Sequence, residues 1–277
     1  MQPTLIRAVA RQHEAAEQWQ QRLAAVDVQC ALLLQDQPFS PRQLRQQPEL
    51  MLLCDEQGLW LAADGMRMQP DWIGQLPRLK RATVKNELAA RACQLSQQPR
   101  LIDATAGLGH DALLMAWLGA NVQLVERHPV LWALLHSAQQ QAAQDPRLAA
   151  TSARITLYHQ DSVQYLQQAQ ADVVYLDPMF PKAESSKAAP LVKKDMQILH
   201  RLLHDDLDLG EDLLAPARQI AARVIVKRPR HAPVLAGCEP DHRWLGDACR
   251  FDGYFAVRPS EQSTDHDDAS AMSDRDD

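Results

Sequence analysis

Absences narrow the field first. Nowhere in the 277 residues is there a run of about 18 uncharged apolar positions, so a membrane-spanning helix is not expected. The opening segment, MQPTLIRAVARQHEAAEQWQQ, is polar, carries acids and lacks the apolar core of a secretory leader. Cysteine is sparse: Cys30, Cys54, Cys93, Cys238 and Cys249 are odd in number, scattered and without a CxxC pair. Free thiols, no zinc site and a reducing, cytoplasmic setting are expected. The histidines show no metal-ligand spacing, so no metal is expected, and no Ser-His-Asp arrangement is legible. Excess charge is also missing from the body of the chain. The formal net charge of −6 comes from the tail, because residues 259–277 hold seven acids and one arginine while the rest balances. That tail is poor in apolar residues and is expected to be disordered.

What is present begins with apolar content. At 46% hydrophobic residues the chain can bury a real core. Residues 1–76 read as a small α+β domain, with a helical start over about 7–24. A strand in VQCALLLQD and a hairpin in ELMLLCDEQGLWLAADG follow, turning at Asp55 to Gly58. Residues 77–258 alternate strands with helices. TVKNELAARACQL reads as a helix, RLIDAT as a strand, and GHDALLMAWLG as a helix stopped by Gly119. NVQLVER, RITLYHQ, DVVYLD and RVIVKRP read as further strands. PVLWALLHSAQQQAAQ reads as a helix with Pro129 in its first turn, and SVQYLQQA as a short one. Two more helices are expected near 190–204 and 211–221, and a strand pair over HRWLGDACRFDGYFAVRP closes the chain. The result is an α/β fold with a parallel seven-stranded sheet covered on both faces and an antiparallel edge.

Chemistry gathers at strand ends. In LIDATAGLGHDA a strand ends at Asp103, Gly107 and Gly109 let the backbone turn tightly, and a helix opens with free N–H groups. Ligands of open α/β sheets bind outside such strand ends. Gly107, Gly109 and Ala112 match G-x-G-x-x-A, so a dinucleotide is one candidate ligand. Asp103 would repel a pyrophosphate but suits a cationic cofactor, which favours S-adenosyl-L-methionine. Glu126 ends the second strand, where it can accept from ribose hydroxyls. Asp161, with Ser162 beside it, follows the third and is placed for an adenine amino group, and Asp177 ends the fourth. Any one of these acids can be a helix cap or a surface residue. Four on one sheet edge are best explained by a polar ligand, since unpaired buried carboxylates are costly.

Asp177 opens the run Asp177-Pro178-Met179-Phe180-Pro181. An exocyclic amine is a poor nucleophile because its lone pair is delocalised into the base. A carboxylate and a backbone carbonyl, here Asp177 and Pro178, can orient its hydrogens, and Phe180 can stack on a flipped-out base. Prolines 178 and 181 stiffen the loop.

This run resembles the [DN]-P-P-[FYW] motif of amino-group methyltransferases, with Met179 in place of the second proline. The longer series DATAGLGHDA, VERHPV, YLDPMFP, LVKK and VKRP is similar to the ribosomal RNA small subunit methyltransferase J family over roughly residues 75–258. The resemblance implies a Rossmann-like seven-stranded fold and methylation of a guanosine N2 amine in 16S rRNA. Its cofactor contacts would fall on His110, Asp111, Glu126, Arg127, Asp161, Ser162 and Asp177. His110 stands where arginine is expected in the family, and Asp161 where serine is expected. Lys193 and Lys194 would border the RNA; Lys227 and Arg228, ending the fifth strand, are further RNA candidates. The partner would be 16S rRNA or the 30S subunit, and the enzyme a monomer. Two rivals stand beside this reading: an NAD-linked oxidoreductase using the same glycine loop, and a non-catalytic RNA-binding module on the same fold. Basic clusters at Arg78–Lys85 and Arg223–Arg230 can grip phosphates or simply face solvent.

Overall fold

The computed structural model describes residues 2–178, 194–203 and 210–256. Phe180 and Lys193 lie outside the described residues, as does the acidic tail. Alternation along Leu5–Val9 buries Ile6 and Ala8, which makes this segment a strand, β1, rather than the start of the expected helix. The helix itself is shorter, His13–Ala24, and buries Ala16, Trp19 and Leu23 on one face. It carries the chain to β2 (Ala31–Gln35), parallel to β1. β3 (Met51–Asp55) and β4 (Gly58–Ala63) form the expected hairpin. Its turn is held by Asp55 Oδ1, which accepts from the Gln57 N–H at 2.8 Å and Trp60 Nε1 at 2.9 Å. β5 (Met66–Met68) adds a second hairpin, and the sheet runs β2-β1-β3-β4-β5.

The expected helix over TVKNELAARACQL is mostly absent. Only Leu88–Ala92 is α-helical. Thr83 and Asn86 exchange side-chain and backbone hydrogen bonds at 2.7 and 3.2 Å, a local turn that competes with helix propagation.

Seven strands then build the second sheet: β6 (Arg100–Asp103), β7 (Asn121–Glu126), β8 (Ile155–His159), β9 (Ala171–Leu176), β10 (Ala221–Pro229), β11 (His242–Leu245) and β12 (Cys249–Phe255). Their order is β11-β12-β10-β9-β6-β7-β8. Strand β12 is antiparallel to both neighbours, and every other pairing is parallel. The terminal hairpin is thus present, but its second strand inserts between β10 and β11. The outermost strand therefore runs with the parallel set, and the antiparallel strand is internal. Strand order reverses between β6 and β9, which places a crevice at their carboxyl ends.

The two sheets share apolar packing. Ile6, Leu52, Leu59 and Leu61 of the first sheet form one cluster with Val130, Leu131 and Leu134 of the helix Pro129–Gln144 and with Ile198, Leu199 and Leu202 of the helix Lys194–Leu202. Trp72, Leu76 and Leu79 instead join the core under the second sheet. The strand-rich part therefore ends at Met68, and the chain crosses into the second core before residue 76. Arg201 adds a polar tie by pairing with Asp64 and donating to the carbonyl of Pro48.

Candidate active site

The crevice at the switch point has two lobes that share Thr105, Ala106, Gly107 and Asp177. The first lobe, about 690 Å³, is walled by Glu126, Arg127, Leu131, Ser162, Leu199 and Leu203. The second, about 670 Å³, is walled by Arg78, Asp103, His110, Asp111, Tyr175 and Lys227.

The glycine loop between the lobes is held from behind. Trp72 Nε1 donates to the Leu108 carbonyl at 3.1 Å. Gly109 has φ +68°, and a Cβ there would stand 2.9 Å from both Leu135 and Trp72. Gly107, at φ +53°, is open on its Cβ side, with nothing nearer than Thr105 O at 3.9 Å. One glycine thus serves packing and the other leaves room at the crevice wall.

In the first lobe Glu126 is 8% exposed and its Oε1 accepts from the His128 N–H at 2.7 Å. Burial pushes its carboxyl up to about 7, against backbone hydrogen bonds from His128, Gly107 and Arg127. Glu126 therefore ties the glycine loop to the tip of β7 as well as facing the cavity. Ser162 donates to the Ala104 carbonyl at 2.7 Å, which pins the end of β8 to that of β6. Asp161 is not part of the wall. Its Oδ1 accepts from the Gln164 N–H at 3.0 Å and caps the helix Ser162–Leu166, which is the ordinary use of an aspartate there.

The second lobe is built from charge. Asp103 is 2% exposed and accepts from the Thr105 N–H at 3.1 Å. Burial raises its carboxyl to about 7; hydrogen bonds from Thr105 oppose the rise, and the nearby Asp111 and Asp177 add to it. Lys227 Nζ bridges Asp111 Oδ2 at 2.7 Å and Asp177 Oδ2 at 2.8 Å. Tyr175 donates to the same Asp111 oxygen at 2.8 Å. Burial alone would raise Asp111, but Lys227, Tyr175 and Arg78 hold it below the usual carboxylate range. For Asp177 burial prevails over Lys227, so its carboxyl is raised. Burial disfavours the Lys227 charge, yet the two carboxylates outweigh it and hold the ammonium above its ordinary pKa. The Asp177 N–H donates to Thr105 Oγ1 at 2.6 Å, fixing where β9 releases the chain. Pro178 is buried, and Gly210 packs so closely that a Cβ there would stand 2.6 Å from the Pro178 Cβ.

Asp103, Glu126, Ser162, Asp177, Gly107, Gly109, His110, Asp111 and Arg127 are thus brought to one crevice, together with Pro178. Two further expectations need correction. Lys227 is inside the site between two carboxylates rather than on an RNA-facing rim. Arg228, its neighbour on β10, points to the opposite sheet face by strand alternation. It is 6% exposed and donates to the Pro233 carbonyl at 3.2 Å, so it is closed to phosphate. Lys194 begins its helix, and its side chain lies outside the described residues. Sequence reasoning does not single out Thr105, Tyr175, Arg78 or Trp72 as site residues. Thr105 has a signal, a hydroxyl two residues after Asp103; Tyr175 and Trp72 read as ordinary core. Among the described residues no group of acids, histidines and cysteines is arranged to hold a metal, and no helix is long and apolar enough to cross a membrane.

These features define the class: an S-adenosylmethionine-dependent methyltransferase. A family model for SAM-dependent methyltransferases matches residues 40–256. The chain is 53% identical over 268 residues to ribosomal RNA small subunit methyltransferase J of Acinetobacter baylyi, covering 93% of this chain and 99% of the relative. It is 57% identical over 228 residues to the protein of that name from Acinetobacter baumannii, covering 78% and 82%. A SAM-dependent methyltransferase structure from Neisseria gonorrhoeae superposes with TM-score 0.66 at 30% identity, covering 91% of this chain and 96% of that one. The chain belongs to the ribosomal RNA small subunit methyltransferase J family, and its cofactor is S-adenosyl-L-methionine. The NAD-linked alternative falls with this assignment.

Proposed function

We propose that this enzyme methylates the exocyclic N2 amine of one guanosine in 16S rRNA, in the cytoplasm, as a monomer. The observation that supports this most is Asp177. It ends β9 at the junction of the two lobes, with Oδ2 held by Lys227 and Oδ1 unpartnered among the described residues.

The residues present fit the cofactor. Glu126 offers a buried carboxylate for ribose hydroxyls, and the space beside Gly107 lets a ligand pass between lobes. The second lobe holds three carboxylates against the two fixed cations Arg78 and Lys227. This acid-rich lining suits the net positive charge of a sulfonium joined to a zwitterionic amino acid. When bound there, S-adenosyl-L-methionine supplies a methyl group activated by its positive sulfur.

The chain's own part is positioning. Asp177 Oδ1 and the Pro178 carbonyl accept the two hydrogens of the amine, which turns the nitrogen lone pair toward the donor. With the cofactor bound, an amine so oriented would take up the activated methyl group, and the nitrogen would then release a proton to water. No strong base is required. Lys227 keeps Asp177 oriented and favours its ionised form. By the sequence motif, Phe180 stacks on the base, and Lys193 and Lys194 border the RNA. Residues 1–76 serve as a buttress, since their sheet backs Leu199 and Leu203, which wall the first lobe.

Mass spectrometry of 16S rRNA from a strain lacking the gene tests this. One guanosine loses its N2 methyl group and regains it with the wild-type gene but not with Asp177→Ala. Restoration by Asp177→Ala would remove the role given to that residue. An Asp177→Ala protein that binds RNA normally but does not methylate also excludes the purely RNA-binding alternative.

A further inference from the structure

Among the described residues, Lys227 and Arg78 are the two side chains of permanent positive charge on the wall of the second lobe, and they are engaged very differently. Lys227 makes two short hydrogen bonds to carboxylates. Arg78 makes none among the described residues: its Nη2 is 3.9 Å from Asp111 and 3.8 Å from Glu87, and its side chain is 44% exposed. A guanidinium carries five donors in a planar fork suited to a carboxylate. Here that fork stands, partly exposed, on the wall of the lobe that does not include Glu126, with no hydrogen bond of its own among the described residues.

We propose that Arg78 receives the α-carboxylate of the cofactor's methionine portion. This rests on the cofactor lying along the crevice with its ribose at Glu126. The distribution of charge sets the direction. With the ribose at Glu126 and the sulfonium near Asp177, the amino acid extends past Gly107 toward His110 and Asp111. An anionic group in that acid-lined lobe needs a cation. Lys227 is held between Asp111 and Asp177, and Arg127 lies in the other lobe. Arg78 is left, and its loose ion pairs can yield to a shorter bond without breaking a hydrogen bond. The basic cluster beginning at residue 78 thus contributes one arginine to the cofactor rather than to RNA.

Calorimetric titration of wild-type and Arg78→Ala protein with two ligands tests this: S-adenosylhomocysteine, and 5′-methylthioadenosine, which lacks the amino-acid end. The expected result is an about 10–100-fold weaker Kd for S-adenosylhomocysteine, the size of a charge-assisted hydrogen bond, with 5′-methylthioadenosine unchanged. Arg78→Lys recovers part of the loss. An unchanged Kd for S-adenosylhomocysteine overturns the proposal, and does so in favour of a phosphate contact if RNA affinity falls instead. An equal loss for both ligands also overturns it, marking Arg78 as structural. If wild-type protein binds neither ligand, the placement of the cofactor fails first, and the Arg78 subsite fails with it.

Discussion

The two lobes of one crevice are built by different physics. The first is apolar wall plus main chain: its one buried acid, Glu126, is oriented by backbone N–H groups, and Leu131, Leu199 and Leu203 complete it. The second is side-chain electrostatics, with Lys227 spanning two aspartates and a tyrosine hydroxyl on one of them. Backbone donors are fixed by the fold and do not titrate. Charged side chains answer to pH and to neighbouring charge. The orientation of the acid should therefore be robust at the adenosine end and tunable at the reacting end, while the charge of Glu126, raised to about 7, still answers to pH.

The sharpest break in this comparison is Asp177→Ala. Methylation should fall about 10²–10³-fold, the usual cost of losing one preorganised transition-state contact, while S-adenosylhomocysteine still binds. A parallel loss of cofactor binding, read by calorimetry, would show that the lobes do not act separately. Next is Glu126→Gln, which should weaken cofactor binding about 10–100-fold. It also has a stability signature. Glu126 is raised in the fold to about 7 from an ordinary 4.5, so folding takes up a proton and burial of its charge destabilises increasingly as pH rises through that window. Thermal melts of the ligand-free proteins should show Glu126→Gln gaining on wild type between pH 5 and pH 8. A constant difference would contradict the burial argument.

Lys227→Met probes the other lobe. Lys227 lowers the carboxyl of Asp177 against the rise from burial, so its loss raises Asp177 further. The ionised form is the one that accepts from the amine. The acid limb of the pH–kcat/KM profile should therefore move to higher pH. On that limb activity falls about tenfold for each pH unit below the carboxyl's pKa, so the variant loses most at low pH and recovers on the alkaline side. Lys227→Arg should restore much of the profile. The smallest effect is expected from Asp64→Asn, which breaks the exposed pair with Arg201 while tolerating the left-handed φ of +51° at residue 64. Stability should drop by no more than about 1 kcal/mol, seen as a small change in Tm.

Much of this was legible in residue order. The helix Pro129–Gln144, the hairpin turning after Asp55 and the strand ends at Asp103, Glu126 and Asp177 follow from periodicity and punctuation. Failures came where local signals were short or contradictory. Leu5–Val9 is a strand because its neighbours in the sheet bury alternate residues, and Thr83–Asn86 diverts a helical pattern into a turn. Asp161 reads as a ligand contact because it sits in register with other acids; in the fold its Oδ1 caps the helix it precedes.

What residue order determined by itself is the list of parts: a glycine turn, acids at strand ends, and an acid-proline run suited to an amine. Only the tertiary structure decided how those acids are partnered. Lys227 lies 116 residues from Asp111 and 50 from Asp177, yet one ammonium serves both. Arg228, one position on, is buried on the other face. Strand alternation makes that choice, and it takes effect only when sheet register sets which face meets the crevice.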